Sequence, residues 1–309
     1  MTTPPAGPAV SVVLCVLNGA PWIGRQLDAL AAQRTDVPWE LVVVDNGSTD
    51  GTQDLVRARI GGFPAPLRLV DGSDRPGLPH ARNVGALAAT APTLAFCDCD
   101  DVVAPGWVAA AHRATAHAAL VGGVNRVLGE PLDPDAEILN PGGVIRGSFG
   151  NAVLGCNFAV RRADYLAIGG FDESLPPYGC DDVEFSLRMN EAGRTVVGDP
   201  DLQIHFRRTT GTRALLRKTY LSGLAETVVW ARHADRYGDQ LRGRRRIASL
   251  LRWPGDTVAV AVRQRALPGR SAARDLTTRV ARVVGWWSIT HRRSLPPPGL
   301  LEHDGDPGP

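Results

Sequence analysis

Long apolar runs are missing from this chain of 309 residues. No uninterrupted stretch reaches the ~18 residues expected of a membrane span. Met1 to Pro8 has no basic region followed by an apolar one, so no export signal is expected and a cytoplasmic location is. Cysteine is scarce: five residues, an odd number, with no Cys-x-x-Cys pair. That argues against zinc sites and disulfides, and Cys15, Cys97, Cys99, Cys156 and Cys180 read instead as small hydrophobes in a reducing compartment. Lysine is nearly absent. Lys218 is the only one among 34 basic residues, which points to a GC-rich genome rather than to a physical constraint.

What is present is ordinary for a soluble globular protein: 44% hydrophobic and 21% charged residues. The length allows one large domain and a C-terminal extension. A net charge of +2 hides an asymmetry. From Arg207 onward there are 20 Arg and Lys against 8 Asp and Glu, whereas the remainder carries 14 against 24. A basic block of this size invites an anionic surface, lipid headgroups or another polyanion. Nucleic acid is the weaker partner, because no reading motif accompanies the charge.

The first half of the chain repeats strand, loop and helix. Val10 to Leu17 and Glu40 to Asp45 are apolar, β-branched runs, each ending in polar or glycine residues and each followed by a helical pattern. Strands are expected at 10–17, 40–45, 67–70 and 93–97, with helices at 22–32, 51–60, 79–90 and near 106–118. This alternation is that of a mostly parallel sheet covered by helices, whose ligands bind outside the carboxyl ends of the strands. Asp45, Asn46 and the cluster Asp98-Cys99-Asp100-Asp101 all fall at such ends and should share one crevice. Acids at i and i+2 of an extended segment point the same way, so Asp98 and Asp100 can converge on one object. Hard oxygen ligands of that kind suit Mg²⁺ or Mn²⁺, with substrate phosphates completing the shell.

Six motifs in order give a resemblance. Val10-Ser11-Val12-Val13, Val43-Val44-Asp45-Asn46-Gly47-Ser48-Thr49-Asp50-Gly51-Thr52, Ala81-Arg82-Asn83-Val84-Gly85, Asp98-Cys99-Asp100-Asp101, Gly169-Gly170-Phe171-Asp172-Glu173 and Asp181-Asp182-Val183-Glu184-Phe185-Ser186-Leu187-Arg188 resemble family-2 glycosyltransferases of the GT-A fold. The resemblance covers roughly residues 9 to 210. It implies an α/β GT-A nucleotide-diphospho-sugar transferase domain at 9–210, a helical, basic extension at 211–294, and disordered ends at 1–8 and 295–309.

By the same resemblance Asp100 is the direct metal ligand and Asp98 contacts the donor's ribose or sugar. Asp45 and Asn46 read the base and ribose; relatives often carry an acid at the second position, so Asn46 removes a charge. Arg82 stands where relatives place a basic group near the diphosphate, and a salt bridge to the acidic strand explains it nearly as well. Asp182 is the general base for the acceptor hydroxyl, and Asp181, in place of the usual glutamate, faces the acceptor. The helix dipole favours acids in a first turn and explains both without catalysis. His205 falls where relatives place a metal- or diphosphate-binding histidine. One base opposite the leaving group implies a single displacement with inversion, assisted by Mn²⁺ or Mg²⁺. The Gln-x-x-Arg-Trp motif of processive synthases is missing at Arg252-Trp253, so transfer of a single sugar is expected.

Two other readings stay open. A sugar-phosphate nucleotidyltransferase shares the sheet but carries a Gly-rich basic loop after its first strand, which Leu17-Asn18-Gly19-Ala20-Pro21 lacks. A non-catalytic nucleotide-sugar-binding protein would have no need of Asp98, Asp100 and Asp182 together. The acceptor hydroxyl, on a glycan, a lipid-linked carrier or a small molecule, is written in no motif, and neither is the oligomeric state. At the C-terminus, Leu276, Val280, Val283, Val284, Trp287 and Ile289 are spaced as one helical face, with Arg279, Arg282, Arg292 and Arg293 beside it. That pattern fits peripheral docking on the inner face of an anionic membrane, and equally a helix packed on its own protein.

Overall fold

The computed structural model describes residues 7–133, 135–147, 150–176, 178–265, 269–292 and 295–302. The chain divides into two compact units. The first runs to Glu173, resumes at Asp182–Arg208 and takes in the chain again from Leu300; the second holds Ser174–Asp181 and Thr209–Gly299.

In the first unit, β1 (Val10–Val16), α1 (Ile23–Ala31), β2 (Trp39–Asp45), α2 (Thr52–Arg57), β3 (Leu67–Asp71), α3 (Leu78–Ala88) and β4 (Thr93–Asp98) follow the expected alternation. Next come β5 (Val102–Val103), α4 (Trp107–His117), β6 (Leu120–Val127), β7 (Ile145–Gly147), β8 (Gly150–Ala152), β9 (Asn157–Arg161) and α5 (Arg162–Ala167). Helix α6 (Asp181–Glu191) and β10 (Val196–Phe206) complete the order. Eight strands form one sheet in the order β3-β2-β1-β4-β9-β6-β10-β5. All its pairings are parallel except those of β9 with β4 and β6 and of β5 with β10.

Both faces are covered, so the strands read as continuous apolar runs rather than as alternations. Val12, Leu14, Leu41 and Val43 pack on one face with Ile23, Leu27 and Trp107. Val13, Val42, Val44 and Phe96 pack on the other with Phe158, Tyr165, Phe171 and Phe185. Within the second layer Phe96 stacks on Phe158 at 4.5 Å and Phe171 on Phe185 at 4.6 Å. These rings lock the strand that ends in the acids to the helix that begins at Asp181.

Strands β7 and β8 pair antiparallel in a small sheet of their own, in a stretch rich in proline and glycine. Strands β6 and β10 are hidden in sequence by Gly122-Gly123 and by Asp199-Pro200-Asp201. A Cβ on Gly123 would collide with the Leu202 carbonyl oxygen, so close packing rather than a turn explains that glycine. The register of β10 on β6 shifts between Asp199 and Gln203, an irregularity that accommodates the proline. The expected disordered tail also differs. Leu301 donates its N–H to the Gly169 carbonyl at 2.8 Å and packs on the second core layer, while residues 303–309 lie outside the described residues. The first six residues of the expected disordered N-terminus lie outside them too.

The second unit is helical: α7 (Thr212–Arg232), α8 (Ala234–Tyr237), a 3-10 turn at Gly238–Leu241, α9 (Gly243–Gln264) and α10 (Arg270–Arg292). Helix α9 runs on through Pro254. Arg279 of α10 donates to the Ser249 carbonyl on one side of that proline and to the Asp256 carboxylate on the other, at 2.5 and 2.9 Å. It thereby splints the turn where proline removes a backbone donor. Arg282 is also spent inside the unit, on Glu226 at 2.7 and 3.0 Å and over the Trp230 ring. A Cβ on Gly223 would come within 2.7 Å of the Ala281 Cβ, which shows how closely α7 and α10 approach. Arg279 and Arg282, expected to meet headgroups, therefore pack on their own protein, and Arg293 lies outside the described residues. Among the described residues no helix is long and apolar enough to cross a membrane.

Candidate active site

Parallel registration places the site. Val16 lies opposite Asp45, Asp45 opposite Asp71, and Cys15 opposite Asp98, so the polar ends of β1, β2, β3 and β4 share one edge of the sheet. Asp45 is buried. Its Oδ2 accepts from the backbone of Ser48 at 3.0 Å and from Gln53 Nε2 at 2.7 Å, while its Oδ1 has no hydrogen-bond partner among the described residues. A cavity of about 450 Å³ opens there, lined by Asp45, Gln53, Arg57, Ile60, Leu69, Val70 and Asp71. A buried, unmet acceptor beside apolar walls suits a planar ligand that carries an N–H.

Asn46 is turned differently. Its amide donates to the carbonyls of Gly72 and Arg75 and its oxygen accepts from the Gly77 N–H, so it fastens the loop before α3. Both ends of its side-chain amide are thus engaged with backbone.

The carboxylates of Asp98, Asp100 and Asp101 have oxygens within 4.8 Å of one another. Asp101 is buried; its Oδ1 accepts from the Arg207 N–H at 2.7 Å and its Oδ2 has no partner among the described residues. Burial, then the charges of Asp98 and Asp100, push its carboxyl well above the usual range. An orphaned buried oxygen among three crowded acids fits a hard divalent cation. The Arg207 guanidinium donates Nε–H to the Asp100 carbonyl at 3.1 Å and lies over Trp22, 5.7 Å from the ring centre. Trp22 is thus an exposed wall beside the acids.

Arg82 is buried and donates to the Gly155 carbonyl at 2.7 Å, with Asp98 Oδ1 at 3.6 Å. The N–H of the same Gly155 donates to Asp182 Oδ2 at 2.9 Å. Asp182 Oδ1 accepts from Val183 N–H, also at 2.9 Å, as the second residue of α6. Asp98, Arg82, Gly155 and Asp182 therefore form one connected line. A Cβ on Gly155 would stand 2.6 Å from the Arg82 guanidinium, so any larger residue here would displace that buried group. Gly155 carries no motif signal in the sequence. Asp181 is buried and opens α6, and it belongs to the helical unit.

His205 lies on β10, paired with Val102 and Arg126, outside the three-carboxylate group. It lines a second cavity of about 450 Å³ with Arg126, Gln203 and the residues that open α4. Burial, then the charges of Arg126 and Arg25, hold its pKa below the ordinary value.

Parts of three quoted motifs prove to be joinery. Asn83 accepts from the Tyr165 hydroxyl and the Phe171 N–H and donates to the Phe171 carbonyl and to Glu173. Gly170, at φ 64°, brings its α-carbon so near that a Cβ would collide with Asn83 Oδ1. His80 bridges Glu173 and Asp74 at 3.0 and 2.8 Å. Glu184 and Arg188 pair at 2.6 Å, and Arg188 also donates to the carbonyls of Ile168 and Gly170.

Known proteins resemble this chain in sequence and in fold. Residues 11–130 match the family model for glycosyl transferase family 2, and residues 147–210 match that for the N-terminal domain of galactosyltransferase. The validoxylamine A glucosyltransferase of Streptomyces hygroscopicus subsp. jinggangensis is 31% identical over 228 residues, 60% of this chain and 52% of that protein. The chain thus spans about half the length of that relative. Glycosyltransferase AglE of Haloferax volcanii is 27% identical over 243 residues, 72% of this chain and 74% of its own. Among solved structures, the mannosyltransferase PcManGT of Pyrobaculum calidifontis, in complex with GDP-Man and Mn²⁺, superposes with a TM-score of 0.63 at 22% identity, covering 92% of this chain and 88% of its own. The TarS 1-349 structure from S. aureus, in complex with UDP-GlcNAc, gives 0.53 at 18% identity, covering 92% and 91%. The fold is GT-A, and residues 11–130 of this chain carry the match to glycosyl transferase family 2.

Proposed function

We propose that the protein transfers a single sugar from a nucleotide-diphosphate donor to an acceptor hydroxyl, with inversion at the anomeric carbon and with Mn²⁺ or Mg²⁺ as cofactor. The observation that carries this reading is the line from Asp98 through Arg82 and Gly155 to Asp182. It holds a candidate base at a fixed place relative to a donor-side carboxylate. The cavity at Asp45 takes the base and ribose. Asp100, with Asp98 and Asp101 beside it, holds the cation. A divalent cation bound there neutralises charge on the departing diphosphate.

Asp182 accepts the proton of the acceptor hydroxyl as its oxygen bonds to the anomeric carbon, and the bond from that carbon to the diphosphate oxygen breaks. One base on the face opposite the leaving group suffices, with no covalent sugar intermediate. Arg82 fixes Asp98 and carries positive charge beneath the acids. Structural neighbours that hold GDP-Man or UDP-GlcNAc support the donor class. The acceptor class remains broad, a glycan, a lipid-linked carrier or a small molecule, and peripheral docking on an anionic membrane belongs to the same reading.

The test is release of nucleotide diphosphate from a panel of UDP-, GDP- and TDP-sugars with Mn²⁺ or Mg²⁺, then with a chelator. Release that requires the metal supports the proposal. Release indifferent to chelator removes the cofactor assignment, and folded protein silent with every donor and acceptor removes the transferase reading.

A further inference from the structure

Helix α9 has two unlike faces. On one, Arg246 is buried over the Trp230 ring and bonded to Gln240, and Ser249 and Asp256 are held by Arg279. On the other, Ile247, Leu251, Val258 and Val262 recur at intervals of four, seven and four residues, which is one side of an α-helix. Their exposures are 46, 74, 60 and 72%. Four large aliphatic side chains in one exposed row exceed the scattered apolar residues of an ordinary surface.

The charge beside this row has one sign. Arg244, Arg245, Arg252 and Arg263 are exposed and make no ion pair among the described residues. The one acid of the helix, Asp256, is engaged by Arg279 at 2.9 Å and so does not offset them. A second copy of this unit, brought face to face, would set arginine against arginine. A surface rich in phosphate groups would match both the row and its flanks. An apolar stripe bordered by unpaired arginines is the pattern of a helix lying in the interfacial plane of a bilayer.

We infer that α9 is a membrane-surface helix, seating Ile247, Leu251, Val258 and Val262 among the acyl chains of an anionic leaflet with Arg244, Arg245, Arg252 and Arg263 at its phosphates. The element differs from the one expected in sequence, since α10 spends Arg279 and Arg282 on α9 and α7. The inference deepens the transferase reading by placing acceptor encounter at a lipid surface. Its test uses no donor, so the two fail separately.

The experiment is flotation of the full-length protein with vesicles of phosphatidylcholine alone and of phosphatidylcholine with phosphatidylglycerol. Recovery with the anionic vesicles and not the neutral ones is expected. Leu251→Glu and Val258→Glu each reduce partitioning by about tenfold or more. Arg252→Glu and Arg263→Glu each reduce it by about fivefold and flatten its salt dependence. These two exposed charge reversals stand in if a glutamate in the apolar row lowers the melting temperature. Leu87→Glu, at an exposed leucine on α3, leaves flotation unchanged. Protein that stays at the bottom with both vesicle types overturns the inference. So does flotation indifferent to all four α9 variants, or light scattering that shows a dimer dissociated by Leu251→Glu.

Discussion

Arg82 and Asp182 meet on the two sides of a single residue: the Gly155 carbonyl accepts from the arginine at 2.7 Å and the Gly155 N–H donates to the aspartate at 2.9 Å. The peptide groups flanking one small residue thus couple the donor side of the site to the candidate base. Gly155→Ala should push the buried Arg82 guanidinium aside. The expected result is a fall in kcat of roughly tenfold or more, as a positioning error of about 1 Å permits, with the melting temperature little changed. Steady-state kinetics beside a thermal melt reads both.

Asp182→Asn keeps the shape of the side chain but cannot take a proton usefully. Turnover should fall by about 10²–10⁴-fold, the usual cost of losing a general base, while donor binding measured by calorimetry persists. Near-parental transfer would reduce Asp182 to a residue that starts α6.

Asp100→Asn and His205→Ala should part company. The first weakens Mn²⁺-dependent donor binding by roughly tenfold or more. The second leaves the metal titration unchanged, because His205 lies outside the three-carboxylate group and lines a separate cavity. Equal losses would return His205 to the metal.

His80 supplies a pH signature. Burial lowers its pKa, but hydrogen bonds and charge from Asp74 and Glu173 outweigh that and raise it above the ordinary value. Its contribution to stability is therefore complete below the unfolded value and is lost as pH rises through the raised folded one. Denaturant melts of the parent should weaken across that window, and His80→Gln should remove the slope. Glu40 acts with the opposite sign. Burial raises its pKa, yet hydrogen bonds from Ser11, Thr90 and Arg68 prevail and lower it, so its share is lost as pH falls through the lowered folded value.

Asn83→Ala orphans the buried Phe171 N–H and the Tyr165 hydroxyl. The expected loss is about 1–3 kcal/mol for each group left unmet, read as a lower denaturation midpoint.

The alternation of β1 through β4 with three helices was legible because each strand is a short unbroken apolar run with glycine or a polar residue at its end. The acids and the candidate base were legible because motifs carry them. Other parts were written in distances that no sequence prints. Gly123 looks like a turn signal and is a close contact; Pro254 looks like a helix stop and is spanned by Arg279; Asn46 looks like a nucleotide reader and fastens a loop. Gly155 has no periodicity, charge or motif to mark it. Its meaning is only that Arg82 and Asp182 reach it from opposite sides.

The bond from Leu301 to Gly169 changes what a truncation would mean. The chain leaves the sheet unit after Arg208 and is back in it at Leu300, so the helices behave as an insertion with both ends anchored rather than as an appendage. A stop codon placed after Arg208 would take away the leucine that covers Gly169 and uncap a carbonyl beside the Asn83 junction. To isolate the sheet unit, an engineer would do better to bridge the two anchor points with a linker and keep the final leucines in the polypeptide.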